Sequence, residues 1–68
     1  MKNSVQARRK ERGWSQQFLA NELGVSRRTI ISIEQGRFDP SLPLAFALAG
    51  AFSCRIEDLF DPGAEAPV

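Results

Sequence analysis

Two neighbouring arginines, Arg27 and Arg28, stand near the start of the segment GVSRRTIISIEQG, residues 24–36. A guanidinium group presents its N–H donors in a rigid planar fork, so it pairs with two acceptors at once, as on a phosphate, a carboxylate or the edge of a guanine base. What these arginines can bind depends on the element that holds them. The isoleucines that follow recur at helical spacing, and the segment therefore predicts a short helix.

The predicted helix has two dissimilar sides. At about 3.6 residues per turn, Ser26, Ile30 and Ile33 fall on the side that we expect to pack on the rest of the domain. The opposite side collects the basic and polar positions and one isoleucine: Arg27, Arg28, Ile31, Ser32 and Gln35. This outer side contains no acidic residue, and Glu34 lies at its border. Two interpretations remain open at this point, a solvated helix surface and a contact surface for an anion.

Two further helices are predicted before this segment. Ser4 is placed to cap a first helix that runs to about Arg12, and Gly13 is placed to end it. Ser15 is placed to cap a second helix with the sequence QQFLANEL. Trp14 precedes that cap and Leu19 follows in the first turn, which is the spacing of a hydrophobic staple.

The turn between the second and third helices is very short. Gly24 follows Leu23 as a residue that can adopt the left-handed conformation. Only Val25 separates Gly24 from Ser26, which we expect to cap the third helix. Two helices joined by so tight a turn cross at a steep angle.

The fourth predicted helix, residues 42–52, has no polar side. Ser41 caps it, and Pro43 is tolerated in its first turn. A helix that is apolar all round is either enclosed or lies against another chain. Gly50 costs roughly 1 kcal/mol there relative to alanine, which fits close approach by a neighbouring backbone. We expect four aromatic residues in the core or the staple: Trp14, Phe18, Phe46 and Phe52.

The last predicted helix is short and lies in the sequence RIEDLF, residues 55–60. Its Ile56, Leu59 and Phe60 close the core. Nowhere does the sequence alternate with period two long enough for a convincing strand, so the predicted fold class is all-α. We assign residues 1–60 to one helical domain and residues 61–68 to a flexible C-terminal tail.

Composition excludes most other classes of function. The 68 residues suffice for one small domain, with a single cysteine and no histidine, so an internal disulfide, the usual zinc ligand and the commonest general base are missing. The acids Glu57, Asp58 and Asp61 lack metal-ligand spacing, and there is no glycine-rich phosphate loop. We expect no enzyme activity, no metal, no cofactor and no small-molecule ligand.

Two features bear on location. The N-terminal stretch MKNSVQARRKERG lacks the apolar region of a secretory signal. The most apolar run, residues 42–54, is too short to span a bilayer. We expect a cytoplasmic protein without membrane contact.

The formal net charge of +1 conceals an uneven distribution. Residues 1–38 carry eight basic and three acidic side chains, and residues 39–68 carry one basic and five acidic ones. The two parts therefore have net charges of +5 and −4. A basic surface for an anionic partner and a different role for the other half are indicated.

Helix, tight LGVS turn and basic outer helix together have the pattern of a DNA-binding helix-turn-helix. The chain resembles the Cro/XRE family of phage-repressor-like regulators, in particular its very short members. The resemblance covers residues 5–60 and rests on three stretches: RKERGWSQQFLANELGVSRRTI, IEQGRFDPSLPLA and IEDLF. It implies a five-helix, lambda-repressor-like domain that binds double-stranded DNA.

The resemblance also implies roles for individual residues. The third helix is expected in the major groove, with Arg27, Arg28 and Ser32 at base-reading positions. Ile31 either touches a thymine methyl group or is simply an exposed isoleucine. Gln16 matches the family's phosphate-contacting glutamine at the start of the second helix. The other candidates for contact with the DNA backbone are Ser26, Thr29, Gln35 and Arg37.

Arg9 and Glu34 match a pair that bridges the first and third helices in similar proteins. Arg8 departs from the family pattern, because relatives place a core leucine there. Either the first helix is shifted, or the arginine lays its aliphatic stem along the core.

Ala47 and Gly50 stand where relatives have long polar side chains, which leaves the fourth helix unusually apolar. Plain core and a subunit interface both explain this, and we prefer the interface. We therefore expect a homodimer on an inverted-repeat operator, with repression as its simplest mechanism. The interface residues expected are Ala47, Gly50, Ala51 and Ile56. The alternative is an antitoxin or adaptor that uses the same fold to bind another protein.

Overall fold

The computed structural model describes residues 2–61 and contains five helices there. The predicted all-α architecture, with its five helices in the expected order, is confirmed. The helices are α1 (Val5–Glu11), α2 (Gln16–Leu23), α3 (Arg27–Glu34), α4 (Leu42–Ala51) and α5 (Ile56–Leu59).

A small antiparallel sheet, which the sequence did not predict, ties the two ends of the domain together. Strand β1 (Lys2–Asn3) pairs with β2 (Phe60–Asp61), with Lys2 opposite Asp61 and Asn3 opposite Phe60. Strands of two residues are too short to show a period in the sequence. Asp61, which the sequence analysis placed in the tail, therefore belongs to a strand, and residues 62–68 lie outside the described part of the chain.

The helix N-termini follow the sequence with one correction. Three predicted caps are confirmed by hydroxyl groups that accept a backbone N–H in the first turn: Ser15, Ser26 and Ser41. Ser4 precedes α1 as expected, but its hydroxyl accepts a bond from Arg8 Nε at 3.1 Å instead of capping the backbone. The side chain of Asn3 takes that role, because its Oδ1 accepts the Val5 N–H at 3.1 Å. Helix α1 thus begins where the sequence predicts, and half-buried Arg8 bonds back along it.

The helix C-termini share one device. The first four helices are each followed by a residue with positive φ: Gly13, Gly24, Gly36 and Ser53. At Gly24 the N–H bonds the carbonyl of Asn21 at 3.3 Å, and the next N–H, of Val25, bonds that of Ala20 at 3.0 Å. This is a Schellman motif, which satisfies carbonyls that the helix leaves unpaired.

One core holds the five helices together. Its largest fully buried side chains come from every helix and from the residue that follows α4: Val5, Leu19, Ile30, Ile33, Leu48, Phe52 and Leu59. Trp14 stacks on Phe52, with ring centroids 5.5 Å apart, and closes the core beside the end of α1.

The prediction of a core position for Phe46 is wrong, since 61% of this residue is exposed, and Phe18 is 42% exposed beside Trp14. Within residues 2–61, no helix combines the length and the apolar character that crossing a membrane requires.

Candidate nucleic-acid interface

Helices α2 and α3 pack against each other and are joined by Gly24, Val25 and Ser26. Ile30 and Ile33 are completely buried, as the helical spacing predicts. Their burial fixes the rotation of α3 about its own axis. The opposite side of the helix is therefore turned away from the core.

Arg27 and Arg28 lie on this outward side and are exposed. Within residues 2–61 neither guanidinium pairs with a carboxylate. Ile31 and Ser32 lie on the same side of the helix, one turn after the arginines, and are half-buried. The arginines thus project beyond a shallow apolar and hydroxyl surface, and their N–H donors are available to a ligand.

The candidate backbone-contacting residues lie at the two ends of α3. Ser26 and Thr29 share a hydroxyl–hydroxyl bond of 2.9 Å, and Ser26 Oγ also accepts the Thr29 N–H at 3.1 Å. The Ser26 hydroxyl is therefore already engaged as the helix cap. Gln35 and Arg37 are exposed beyond the last turn. The Arg37 N–H bonds the Ser32 carbonyl at 3.0 Å and fixes the start of the loop.

The remaining candidate, Gln16, is half-buried at the first position of α2. Its Nε2 donates to Glu34 Oε1 at 3.1 Å. This bond could not be predicted from the sequence, because the two residues are 18 positions apart and only the packing of α2 on α3 brings them together. Gln16 is thereby placed next to the basic side of α3.

Glu34 also pairs with Arg9, as the resemblance implied. Arg9 Nε and Glu34 Oε2 are 2.7 Å apart, and a second bond joins Arg9 Nη2 to Glu34 Oε1 at 3.3 Å. The side chains are only 9% and 3% exposed, respectively. Arg9 Nη1 also donates to the Trp14 carbonyl at 2.8 Å, so this one guanidinium links α1, α3 and the start of α2.

Arg12 has a structural role that its charge does not reveal. Its Nη2 donates to the Phe52 carbonyl at 2.8 Å, just after α4, and its guanidinium lies over the Trp14 and Phe52 rings. A cation at a helix C-terminus stabilises the unpaired carbonyls there. Arg12 therefore links the end of α1 to the end of α4, although the sequence counts it with the basic half.

Two acidic side chains of the second half lie in α5. Glu57 and Asp58 are exposed there, and the Arg55 N–H donates to Asp58 Oδ2 at 3.2 Å. This backbone hydrogen bond, followed by the Arg55 guanidinium, holds the pKa of Asp58 below its ordinary value. The carboxylate at this helix N-terminus is thus charged at neutral pH, as the helix dipole favours.

The predicted subunit surface is only partly exposed. Ala47 and Gly50 are exposed, whereas Ala51 and Ile56 are half-buried against the core. A Cβ atom at Gly50 would meet nothing within 4 Å, so the expected close approach by a neighbouring backbone does not occur within residues 2–61. The largest exposed apolar side chains of α4 are instead Leu42 and Phe46, which are 65% and 61% exposed.

Comparison with known proteins agrees with this geometry. A family model described as helix-turn-helix matches residues 5–59, which include all five helices. The chain belongs to the helix-turn-helix family. More narrowly, it is a short regulator of the Cro/XRE type, as its resemblance implied.

Its relatives in this helix-turn-helix family include proteins of similar length. An uncharacterised HTH-type transcriptional regulator of Methanocaldococcus jannaschii is 52% identical over 60 residues, which are 88% of this chain and 91% of that protein. The HTH-type regulator YgzD of Bacillus subtilis is 45% identical over 60 residues, with the same shares of the two chains covered. In a protein of Halorubrum lacusprofundi named as a transcriptional regulator, the matched region is 16% of the length.

The helix-turn-helix fold is also found in a solved structure, that of a hypothetical transcription factor, NHTF, from Neisseria. The TM-score is 0.72 and the sequences are 26% identical. The match covers 79% of this chain and spans 61% of the length of that protein.

Proposed function

We propose that this helix-turn-helix protein binds double-stranded DNA in a sequence-specific manner and represses transcription from the site it occupies. The coarse class, a DNA-binding transcriptional regulator, follows from its family and from the names of its relatives. The observation that carries the finer proposal is the outward side of α3, where Arg27 and Arg28 are exposed and lack carboxylate partners within residues 2–61.

Base reading is assigned to the outward side of α3. An α-helix fits the major groove, and an arginine bonds bidentately to guanine O6 and N7 with about 1–3 kcal/mol of discrimination for each good pair. Arg27 and Arg28 stand at the N-terminal end of the helix, where such contacts are made. Ser32 and Ile31 lie one turn further along and meet the neighbouring bases, with Ile31 suited to a thymine methyl group.

Contacts to the phosphates orient the helix in the groove. Gln16 contributes its side-chain amide at the N-terminus of α2, where backbone N–H groups and the helix dipole favour an anion. Ser26, Thr29, Gln35 and Arg37 contribute from the two ends of α3. These contacts position the protein and carry no base preference of their own.

A homodimer with the exposed surface of α4 at its centre completes the proposal. Leu42 and Phe46 dominate this surface, and the residues beside them, Pro43, Ala47 and Gly50, are uncharged and exposed. A two-fold interface brings the same patch of both chains together, so an uncharged patch avoids self-repulsion. Leu42 and Phe46 expose on the order of 200 Å², less than the roughly 800 Å² that a standard interface buries on each partner. The interface therefore extends towards Ile56.

Selection from a pool of DNA duplexes tests whether the protein recognises a particular base sequence. The protein is mixed with a pool of randomised duplexes at about 0.1 M salt, a concentration that weakens non-specific binding, and the retained duplexes are sequenced. We expect an enriched inverted repeat with guanines in each half and half-sites about 34–36 Å apart. Folded protein that enriches no sequence would contradict the proposal.

The oligomeric state is tested separately with Phe46→Ser. Removing about 120 Å² of apolar surface from each chain at about 25 cal/mol per Å² loses roughly 3 kcal/mol per chain. We expect the dissociation constant of the dimer to rise at least a hundredfold, measured by sedimentation at micromolar concentration. Phe18→Ser is the control, because it changes a different exposed phenylalanine, which lies on α2 and not on α4. We expect it to leave the mass of the dimer in sedimentation unchanged.

A protein-interaction module remains the second candidate, because the exposed Leu42 and Phe46 also suit a different protein. A wild-type protein that is monomeric at micromolar concentration and enriches no DNA would favour the antitoxin or adaptor role.

A further inference from the structure

The contacts around Glu34 assign it a role in DNA binding that its own position does not suggest. Its side chain is 3% exposed and cannot reach a ligand. It nevertheless accepts a hydrogen bond from Gln16 Nε2 at 3.1 Å. We propose that Glu34, locked in place by Arg9, is a positioning residue that holds the Gln16 carboxamide for contact with a DNA phosphate. This inference rests on the proposed function.

The geometry makes Glu34 a fixed acceptor. Arg9 donates to both carboxylate oxygens, at 2.7 and 3.3 Å, so the carboxylate cannot rotate without breaking a charged pair. A charge-assisted, two-point pair is among the strongest side-chain contacts. The same guanidinium donates to the carbonyl of Trp14, two residues before Gln16. The Gln16 side chain and the backbone two residues before it are therefore both bonded to the same buried pair.

A carboxylate also decides which end of the amide faces it. An ionised carboxylate only accepts hydrogen bonds, so Gln16 must turn its nitrogen towards Glu34. That nitrogen carries two hydrogens, and the bond to Glu34 uses one of them. The second N–H stays available beside the first backbone N–H groups of α2, which have no partner within the helix. Gln16 can therefore donate to Glu34 and to a phosphate at the same time.

Two costs of DNA binding are lowered by this arrangement. A free glutamine side chain loses rotamer entropy when it becomes ordered on binding, whereas Gln16 is ordered before DNA arrives. A bare carboxylate near a phosphate would repel it, but Arg9 neutralises Glu34. The Arg9–Glu34 pair thus serves the interface as well as the fold.

The binding test is a double-mutant cycle. Gln16→Ala is measured in the wild type and in the background Arg9→Leu/Glu34→Leu, which removes both charges together and leaves no unpaired one. The ligand is a labelled duplex from the selection experiment, and a duplex of scrambled sequence is measured beside it. Gln17→Ala is the matched control, because Gln17 bonds Asn21 on the same helix and does not contact the pair.

We expect Gln16→Ala to raise the dissociation constant about tenfold for both duplexes in the wild type, the effect of one hydrogen bond to a charged group. In the leucine background the same change is expected to have less than about a twofold effect. An equal, tenfold effect in both backgrounds would overturn the positioning role. Wild-type protein that binds neither duplex would refute the proposed function instead.

Side-chain NMR relaxation of the wild type tests positioning without DNA and without any variant. The NH2 group of Gln16 is compared with that of Gln6, an exposed residue of α1 whose side chain has no hydrogen-bond partner within residues 2–61. We expect a clearly higher order parameter for Gln16. Equal mobility of the two amides would also overturn the inference, even if the leucine background fails to fold.

Discussion

The Arg9–Glu34 pair gives the sharpest prediction about stability. The proposed changes are Arg9→Leu, Glu34→Leu and the two together. In the native protein the Glu34 carboxylate accepts three hydrogen bonds, two from Arg9 and one from Gln16. Arg9→Leu leaves that carboxylate, 3% exposed, with one neutral donor.

The size of the expected loss of stability follows from the burial of the Arg9–Glu34 pair. Removing one partner of a buried ion pair costs about 3–5 kcal/mol, because the other charge remains desolvated. Removing both leaves no buried charge, and the loss reduces to unmade hydrogen bonds at Trp14 and Gln16, about 1–2 kcal/mol. We therefore expect the double variant to be more stable than either single variant. A protein of this length has a free energy of unfolding of roughly 3–10 kcal/mol, so the single changes consume much of it.

Urea unfolding followed by Trp14 fluorescence provides the assay, because this half-buried indole stacks on Phe52 in the folded state. Work near 15 °C, close to the usual temperature of maximum stability, keeps the single variants folded. Arg55→Ala is the control: its ion pairs with Glu57 and Asp58 are exposed, and we expect no measurable change. A loss below about 1 kcal/mol in either single variant would refute the reasoning, since it would mean that water solvates the pair.

Four further predictions concern other parts of the molecule. Ser53 has a φ of +53° after α4, so Ser53→Gly is expected to raise the free energy of unfolding by about 0.5–1 kcal/mol. Gly24 has a φ of +69°, so Gly24→Ala is expected to lower the free energy of unfolding by about 1–2 kcal/mol. Both changes in stability are measured from the midpoints of urea unfolding. Arg28→Ala should weaken binding to the selected duplex by about 1–3 kcal/mol and relax the preference at one base pair; equal binding by mutant and wild type would exclude Arg28 as a base reader. Because the folded-state pKa of Asp58 is lowered, its contribution to stability is present at neutral pH and is lost as the pH falls through that pKa. In Asp58→Asn, the free energy of unfolding, measured by urea unfolding at a series of pH values, should therefore fall less steeply at acid pH than in the wild type.

Local signals were sufficient for most of the helical framework. Serine caps, terminal glycines and the helical spacing of Ile30 and Ile33 act over a few residues, so they are legible in the sequence. The same signals placed Arg27 and Arg28 on an outward side. The structure at the two ends of the domain was harder to predict from the sequence, because two-residue strands and the side-chain cap from Asn3 leave no periodic pattern.

Exposure of large apolar residues was predicted less well. Phe46 was expected in the core and lies outside it. The fourth helix is apolar all round, so its sequence has no polar side to indicate its rotation. The other elements decide that rotation by offering room for Ala45, Leu48 and Ala49.

The sequence by itself determined five helices, the serine caps of α2, α3 and α4 and the basic outer side of α3, because each depends on residue type and on spacing within a turn or two. Only the tertiary structure decided which charges face outward and which are buried. Arg9 and Arg28 are the same residue type, yet Arg9 is buried against Glu34 and Arg28 is exposed. It also brought Gln16 to Glu34 across 18 positions, since hydrogen bonds between distant residues follow from helix packing and not from local pattern.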